Sequence, residues 1–204
     1  MLITAAEPRK KSLTALYIDG EYAVSVDTMT FMAAGKKVGS EITDEDLYDL
    51  IEKSNISRAK EKALCLIEYR ARTHKEIMDK LVPLYGEKAA ELAVERLEQL
   101  GLINDEAFAQ EYADTLINKK HFSYQRAVYE LIRKGINKDT AEEILDELEP
   151  DAVEQIRTLL ETKYARRLND EKARARTVNS LKTMGYRWSD INEAMSEYID
   201  DDYG

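Results

Sequence analysis

Residues 123–148 read SYQRAVYELIRKGINKDTAEEILDEL, and the fold is decided here. Ser123 is an N-cap residue; Ala127, Val128, Leu131 and Ile132 recur at helical spacing; Gly135 stops the helix. Asn137 caps a second helix whose stripe is Ala141, Ile144, Leu145 and Leu148. The pattern returns fifty residues on, where Leu181 and Gly185 stand for Leu131 and Gly135. It also occurs fifty residues earlier at Leu81, with its glycine one residue late, at Gly86, beyond Pro83. After each glycine comes a capped helix with an apolar pair at a comparable offset: Ala93/Leu97, Ala141/Leu145 and Ile191/Met195. The joint match of helix, glycine, cap and helix predicts tandem three-helix repeats in an extended, mainly α chain.

Working outward, the same signals predict nine helices in three sets of three. Thr43 with Asp44, Glu45 and Asp46 marks a helix start, and Thr73-His-Lys-Glu76 is a capping box. Proline should kink or end the next helix at Val82-Pro83, and Gly101 stops the one after. Further helices start at Asp105, Pro150 and Asn169-Asp170, and Ser189 caps the last, which runs through Tyr198. Ahead of them, Asp19-Gly20 is a type I′ turn dipeptide inside LTALYIDGEYAVSV, residues 13–26. A two-residue loop pairs Tyr17 with Tyr22, Ala15 with Val24 and Leu13 with Val26, placing these six on one face. The expected organisation is a β-hairpin module with a short helical segment over residues 1–53. Three-helix repeats follow over 54–104, 105–149 and 150–204.

The 204 residues are 44% hydrophobic and 34% charged, with a formal net charge of −10, which describes a charge-rich folded chain. Three prolines and eight glycines are too few for a long all-β fold. No apolar run approaches a membrane span of about 20 residues, and MLITAAEPRKK has no signal-peptide core. The lone Cys65 can make no internal disulfide, which fits a reducing cytoplasm. The acidic balance argues against a nonspecific DNA coat and predicts weak binding to naked DNA.

The charge is uneven. From Arg157 to Arg187 nine cations face three acids, a local balance of +6. Within this island Arg166, Arg167, Lys172, Arg174 and Arg176 are the candidate binding residues. A solvated surface of ordinary helix charge and a face turned to a polyanion both account for them. A helical wheel sets Lys172 and Arg176 outward and Arg174 nearer the apolar stripe. Tyr112, Tyr124, Tyr129 and Tyr164 are candidates either for base stacking or for the core edge.

Catalytic constellations are thin. His74 sits in a first helical turn and His121 in the Lys119–Ser123 connector, with no Glu-x-x-His pairing. Cys65, between Leu64 and Leu66, reads as a buried small hydrophobe. Glu142, Glu143, Asp146 and Glu147 lie three and four apart, as in a magnesium nuclease and equally as in a solvated acidic helix face. Walker and dinucleotide glycine motifs are absent. The expected protein is therefore no enzyme and holds no cofactor or metal.

Several segments together carry a family resemblance: Ala59-Lys-Glu-Lys-Ala-Leu64 through Arg70, Gly101-Leu-Ile-Asn-Asp-Glu-Ala-Phe-Ala109, Glu130-Leu-Ile-Arg-Lys-Gly-Ile136 and Leu181-Lys-Thr-Met-Gly-Tyr186. In this order they resemble the bacterial regulatory protein RecX family over about residues 55–200, with Tyr186 where phenylalanine is usual. The resemblance implies an elongated, curved helical array that binds a RecA recombinase filament on single-strand DNA and restrains its growth. ATPase, strand exchange and the SOS coprotease function would fall with it. It further implies a cytoplasmic monomer with no membrane partner, touching single-strand DNA within the filament. The five basic residues would then face DNA phosphate or acidic RecA loops. A generic helical adaptor for another protein is the alternative.

Overall fold

The computed structural model describes residues 1–168 and 171–196, the side chain of Arg167 excepted. The predicted helix start at Asn169-Asp170, and Tyr198, lie outside the described residues. Contacts divide the chain into two compact units, residues 1–104 and 105–204.

The first unit opens with a three-stranded antiparallel sheet of order β1-β2-β3, with strands Ile3–Arg9, Leu13–Ile18 and Glu21–Asp27. Asp19 and Gly20 have φ of 49° and 91°, the two positive values that a type I′ turn requires. Pairing starts as predicted, Ile18 with Glu21 and Tyr17 with Tyr22, and then slips, because Leu16 meets Val24. Ala23 is the extra residue of a β-bulge, and it corrects the predicted register. Beyond it Thr14, Leu16 and Ile18 share the inner face with Val24 and Val26, in place of Leu13, Ala15 and Tyr17. The strand β1 is also a correction to the hairpin. Two alanines and Pro8 give it little strand propensity, and it lies at an edge, where a missing amide is tolerated.

A short helix, α1 (Thr28–Ala33), and a 26-residue helix, α2 (Asp44–Tyr69), follow. Thr43 closes a capping box with Asp46, its hydroxyl accepting from the Asp46 amide at 3.0 Å. Leu50 on α2 joins Ile3, Leu16, Val26, Phe31 and Ile42 in the sheet's core. The Ser54 hydroxyl accepts from the buried Asp27 amide at 2.7 Å. Two turns on, Ala59 and Ala63 enter a second core with helices α3 (His74–Tyr85) and α4 (Glu87–Gln99). Residues 53 and 54, where the hairpin module was to meet the first repeat, thus lie inside one unbroken helix. Pro83 is held within α3, which runs on to Tyr85 before Gly86 ends it at φ 82°.

The second unit holds α5 (Asp105–Asp114), a π-helical turn (Thr115–Lys119), α6 (Tyr124–Arg133) and α7 (Lys138–Glu147), then α8 (Ala152–Thr162), a 3-10 turn (Ala165–Arg167), α9 (Glu171–Thr183) and α10 (Trp188–Ser196). Each trio has its own apolar cluster. Helix α8 starts just beyond Pro150, with Asp151 as its cap, accepting from the amides of Val153 and Glu154 at 2.9 and 3.0 Å. Ser189 lies inside α10 and does not cap it; its hydroxyl donates to Asp190 at 2.8 Å.

The fifty-residue period has a physical basis. Leu81, Leu131 and Leu181 are all fully buried, each in a different cluster. At the ends of α6 and α9 the amides of Ile136 and Tyr186 return to the carbonyls of Leu131 and Leu181 at 3.1 and 3.2 Å. Gly135 and Gly185 stand at φ 95° and 93° in the Schellman turns so formed. The recurring pairs Ala93/Leu97, Ala141/Leu145 and Ile191/Met195 are no more than 3% exposed.

The two trios of the second unit meet through Tyr186 and Gly185. The Tyr186 hydroxyl lies 3.1 Å from the His121 carbonyl and 2.8 Å from Gln155 Oε1. The Ser123 amide donates to the Met184 carbonyl at 3.0 Å.

Candidate partner-binding surface

Burial of Thr177 and Leu181 fixes the inward side of α9. At about 100° per residue, Lys172 and Arg176 are about 40° apart and point outward, while Arg174 lies about 200° from Lys172, toward the buried side. The burial pattern agrees, with Lys172 and Arg176 exposed and Arg174 half-buried. Arg166 is exposed in the 3-10 turn that precedes α9, and the side chain of Arg167 is outside the described residues. Among the described residues no carboxylate lies within 4.0 Å of Arg166, Lys172 or Arg176. Lys182, also exposed, sets its ammonium 5.0 Å from the ring centre of Trp188, itself 58% exposed. The outer side of α9 therefore shows Lys172, Arg176 and Lys182 to solvent, and Glu171 is the only acid of the helix. Exposed cations of this kind can neutralise phosphate or carboxylate on a partner at little desolvation cost. Arg174 belongs to the other side of the helix.

The tyrosines separate by environment. Tyr164 is a core residue, 2% exposed, with its hydroxyl 2.6 Å from Ser180 Oγ. Tyr124 donates to Asp146 at 2.7 Å, and burial, with this carboxylate beside it, pushes its pKa up to about 12. Burial pushes Tyr186 up as well. Tyr129 is 56% exposed.

Cys65 is exposed, which corrects the expected burial. Ala59 and Ala63 hold the inner side of α2, and two residues beyond Ala63 the helix points away from it. His74 Nδ1 lies 2.7 Å from Glu98 Oε1, linking α3 to α4. Of the α7 acids, Asp146 is engaged by Tyr124 and Glu142 lies 3.5 Å from Lys138. Among the described residues no group of three or more His, Cys, Asp or Glu could hold a metal ion, and no helix is long and apolar enough to cross a membrane.

A second basic surface lies outside the Arg157–Arg187 island and was missed in the sequence. The second repeat carries more acids than cations overall, yet five of its six cations fall between Lys119 and Lys134. The structure sets three of these, Lys120, Arg126 and Lys134, against the rings of Tyr112, Phe122 and Tyr129. The doublet Lys119-Lys120 beside Phe122 was the available signal.

Known proteins account for the arrangement of the trios. Residues 104–145 match the family model described as RecX, second three-helix domain. A "Regulatory protein RecX" of Clostridium acetobutylicum is 33% identical over 94% of this chain and 92% of its own length. Its namesake from Caldanaerobacter subterraneus is 30% identical over 96% and 99%. Among solved structures, "Crystal structure of regulatory protein RecX" superposes with a TM-score of 0.61 at 23% identity, over 96% of this chain and 98% of that one. "Crystal structure of RecX from Lactobacillus salivarius" gives 0.56 at 30% identity, over 71% and 96%. With matching glycine turns at Gly135 and Gly185 and relatives of this identity along nearly its whole length, the chain belongs to the RecX family of regulatory proteins.

Proposed function

We propose that the protein is a non-enzymatic regulator that binds the RecA–single-strand DNA filament and restrains its growth. ATPase, strand exchange and the SOS response are held down in consequence. The observation that carries this reading is the identity to regulatory proteins of the RecX family over nearly the full chain. The outward cations of α9 support it, since a filament offers both DNA phosphate and acidic protein loops. The protein acts as a cytoplasmic monomer.

Co-sedimentation with RecA filaments on single-strand DNA, with RecA alone and DNA alone as controls, is the direct test. The protein should pellet with the filament and slow its ATPase. Replacing Arg166, Arg167, Lys172 and Arg176 with Glu should weaken both effects. Arg166, Lys172 and Arg176 are exposed, and substitutions at such positions move stability by only about 0.5 kcal/mol, so folding and binding separate. Arg174→Glu should also lower stability, because that side chain is half-buried. If phosphate is the target, binding falls with salt at a log–log slope of about −0.7 per phosphate neutralised. Full ATPase inhibition by the four-site variant would leave the α9 cations as plain surface charge.

A further inference from the structure

We propose that α6 and the turn before it carry a binding surface for single-stranded nucleic acid, built as a row in which cations and aromatic rings alternate. The row begins at Lys134, whose ammonium is 5.7 Å from the centre of the Tyr112 ring. Lys120 lies 5.2 Å from the same ring and 5.9 Å from that of Phe122. The Arg126 guanidinium then bridges Phe122 and Tyr129, at 5.6 and 5.5 Å. Six side chains from α5, α6 and their connection thus form one continuous strip.

The backbone that sets this strip is unusual. A π-helical turn ends α5, with the Lys120 amide returning to the Thr115 carbonyl at 2.9 Å and that of Phe122 to Leu116 at 2.9 Å. His121 then takes φ 52°, a left-handed value uncommon outside glycine. This geometry delivers Lys120 and Phe122 to the same strip as the α6 side chains. π-turns of this kind gather at functional sites.

Charge and ring chemistry together select the ligand. Between residues 119 and 134 five cations face a single acid, Glu130. That acid is 3% exposed and bonded to Arg126 at 2.6 Å and Arg133 at 2.8 Å, so its charge is neutralised within the fold. A positive strip on a chain of net charge −10 calls for a polyanion. An acidic peptide would use the cations and leave the rings idle, and a duplex keeps its base faces stacked. A single strand presents phosphates and free base faces at once, and Tyr129, 56% exposed, offers a ring to them. The surface lies in the second trio, apart from the α9 cations of the third, and needs no recombinase to act.

The test is anisotropy of a fluorescein-labelled oligothymidylate titrated with the full chain at low ionic strength, where the net negative charge of the protein still permits measurement. An abasic strand of equal length carries the same phosphates without bases. The chain should bind oligothymidylate several-fold more tightly than the abasic strand. Tyr129→Leu should lose about tenfold toward oligothymidylate and little toward the abasic strand, while Tyr129→Phe keeps wild-type affinity. The Lys120→Ala/Lys134→Ala double variant should weaken both strands alike. Arg126 is left intact because it neutralises buried Glu130. No binding to oligothymidylate, equal affinity for both strands, no effect of Tyr129→Leu, or stronger competition by polyglutamate than by unlabelled oligothymidylate would each overturn the proposal. Filament co-sedimentation is scored separately, so loss of this surface leaves the filament reading standing.

Discussion

Replacing Gly185 with alanine probes the place where the third trio's backbone presses on the second. Gly185 stands at φ +93°, and a Cβ built there lies 2.5 Å from Ser123 Oγ and 2.7 Å from Arg126 Cβ. The left-handed backbone alone costs an L-residue about 1–2 kcal/mol. The overlap adds to it, because the neighbours are fixed: Ser123 Oγ accepts from the Arg126 amide at 3.3 Å, and the Ser123 amide is bonded to Met184. Forcing a methyl group into such packing costs a further ~1–3 kcal/mol, for a total of about 2–5 kcal/mol. Gly101→Ala is the control, since φ there is +71° with nothing within 4 Å, and it should cost only the backbone share. Urea unfolding followed by far-UV circular dichroism compares the two, and Trp188 emission reports locally on the third trio. Hydrogen exchange at the Ser123 amide should speed up in Gly185→Ala alone. Equal destabilisation of the two variants, with Ser123 protection unchanged, would refute the claim that the trios meet at this glycine.

Two further outcomes follow from the hydrogen bonds. Tyr124 has its pKa pushed up to about 12 while the unfolded side chain titrates near 10, so the native state holds the proton more tightly. The stability this gives is whole below about pH 10 and is lost as pH rises toward 12. Urea midpoints should therefore drop between about pH 10 and pH 12, less so in Tyr124→Phe, and an identical drop in that variant would contradict the assignment. Thr43→Ala removes the acceptor for the Asp46 amide and should cost about 1 kcal/mol in urea unfolding, with no change in filament binding.

Much of the fold was legible because its signals are periodic or local. Leu81, Leu131 and Leu181 announced themselves by spacing, and Asp19-Gly20 by the backbone angles that only such a pair accepts readily. The bulge at Ala23 was not legible, since an alanine between Tyr22 and Val24 carries no local mark of being unpaired. Strand β1 was hidden by residues that make poor strands alone and are recruited by pairing with β2. Cys65 was misread from its apolar neighbours when the helical phase of Ala59 and Ala63 already turned it outward. The α9 candidates were legible as a cluster, and the wheel correctly set Arg174 apart from Lys172 and Arg176. The strip on the second trio escaped because its members come from three elements, and a π-turn, one residue wider per turn, leaves no trace in an apolar pattern.

The continuous α2 makes the spacing of its inward residues a mechanical constraint. Leu50 and Ser54 engage the sheet, and Ala59 and Ala63 engage α3 and α4, along a single rod. Deleting one residue between Ser54 and Ala59 would rotate one grip against the other by about 100°, so that only one of the two cores could close. Seven added residues would restore the phase to within about 20° but push the two grips about 10 Å apart. Length changes should therefore be refused within this helix. The rod works as a gear of fixed tooth count between sheet and helices.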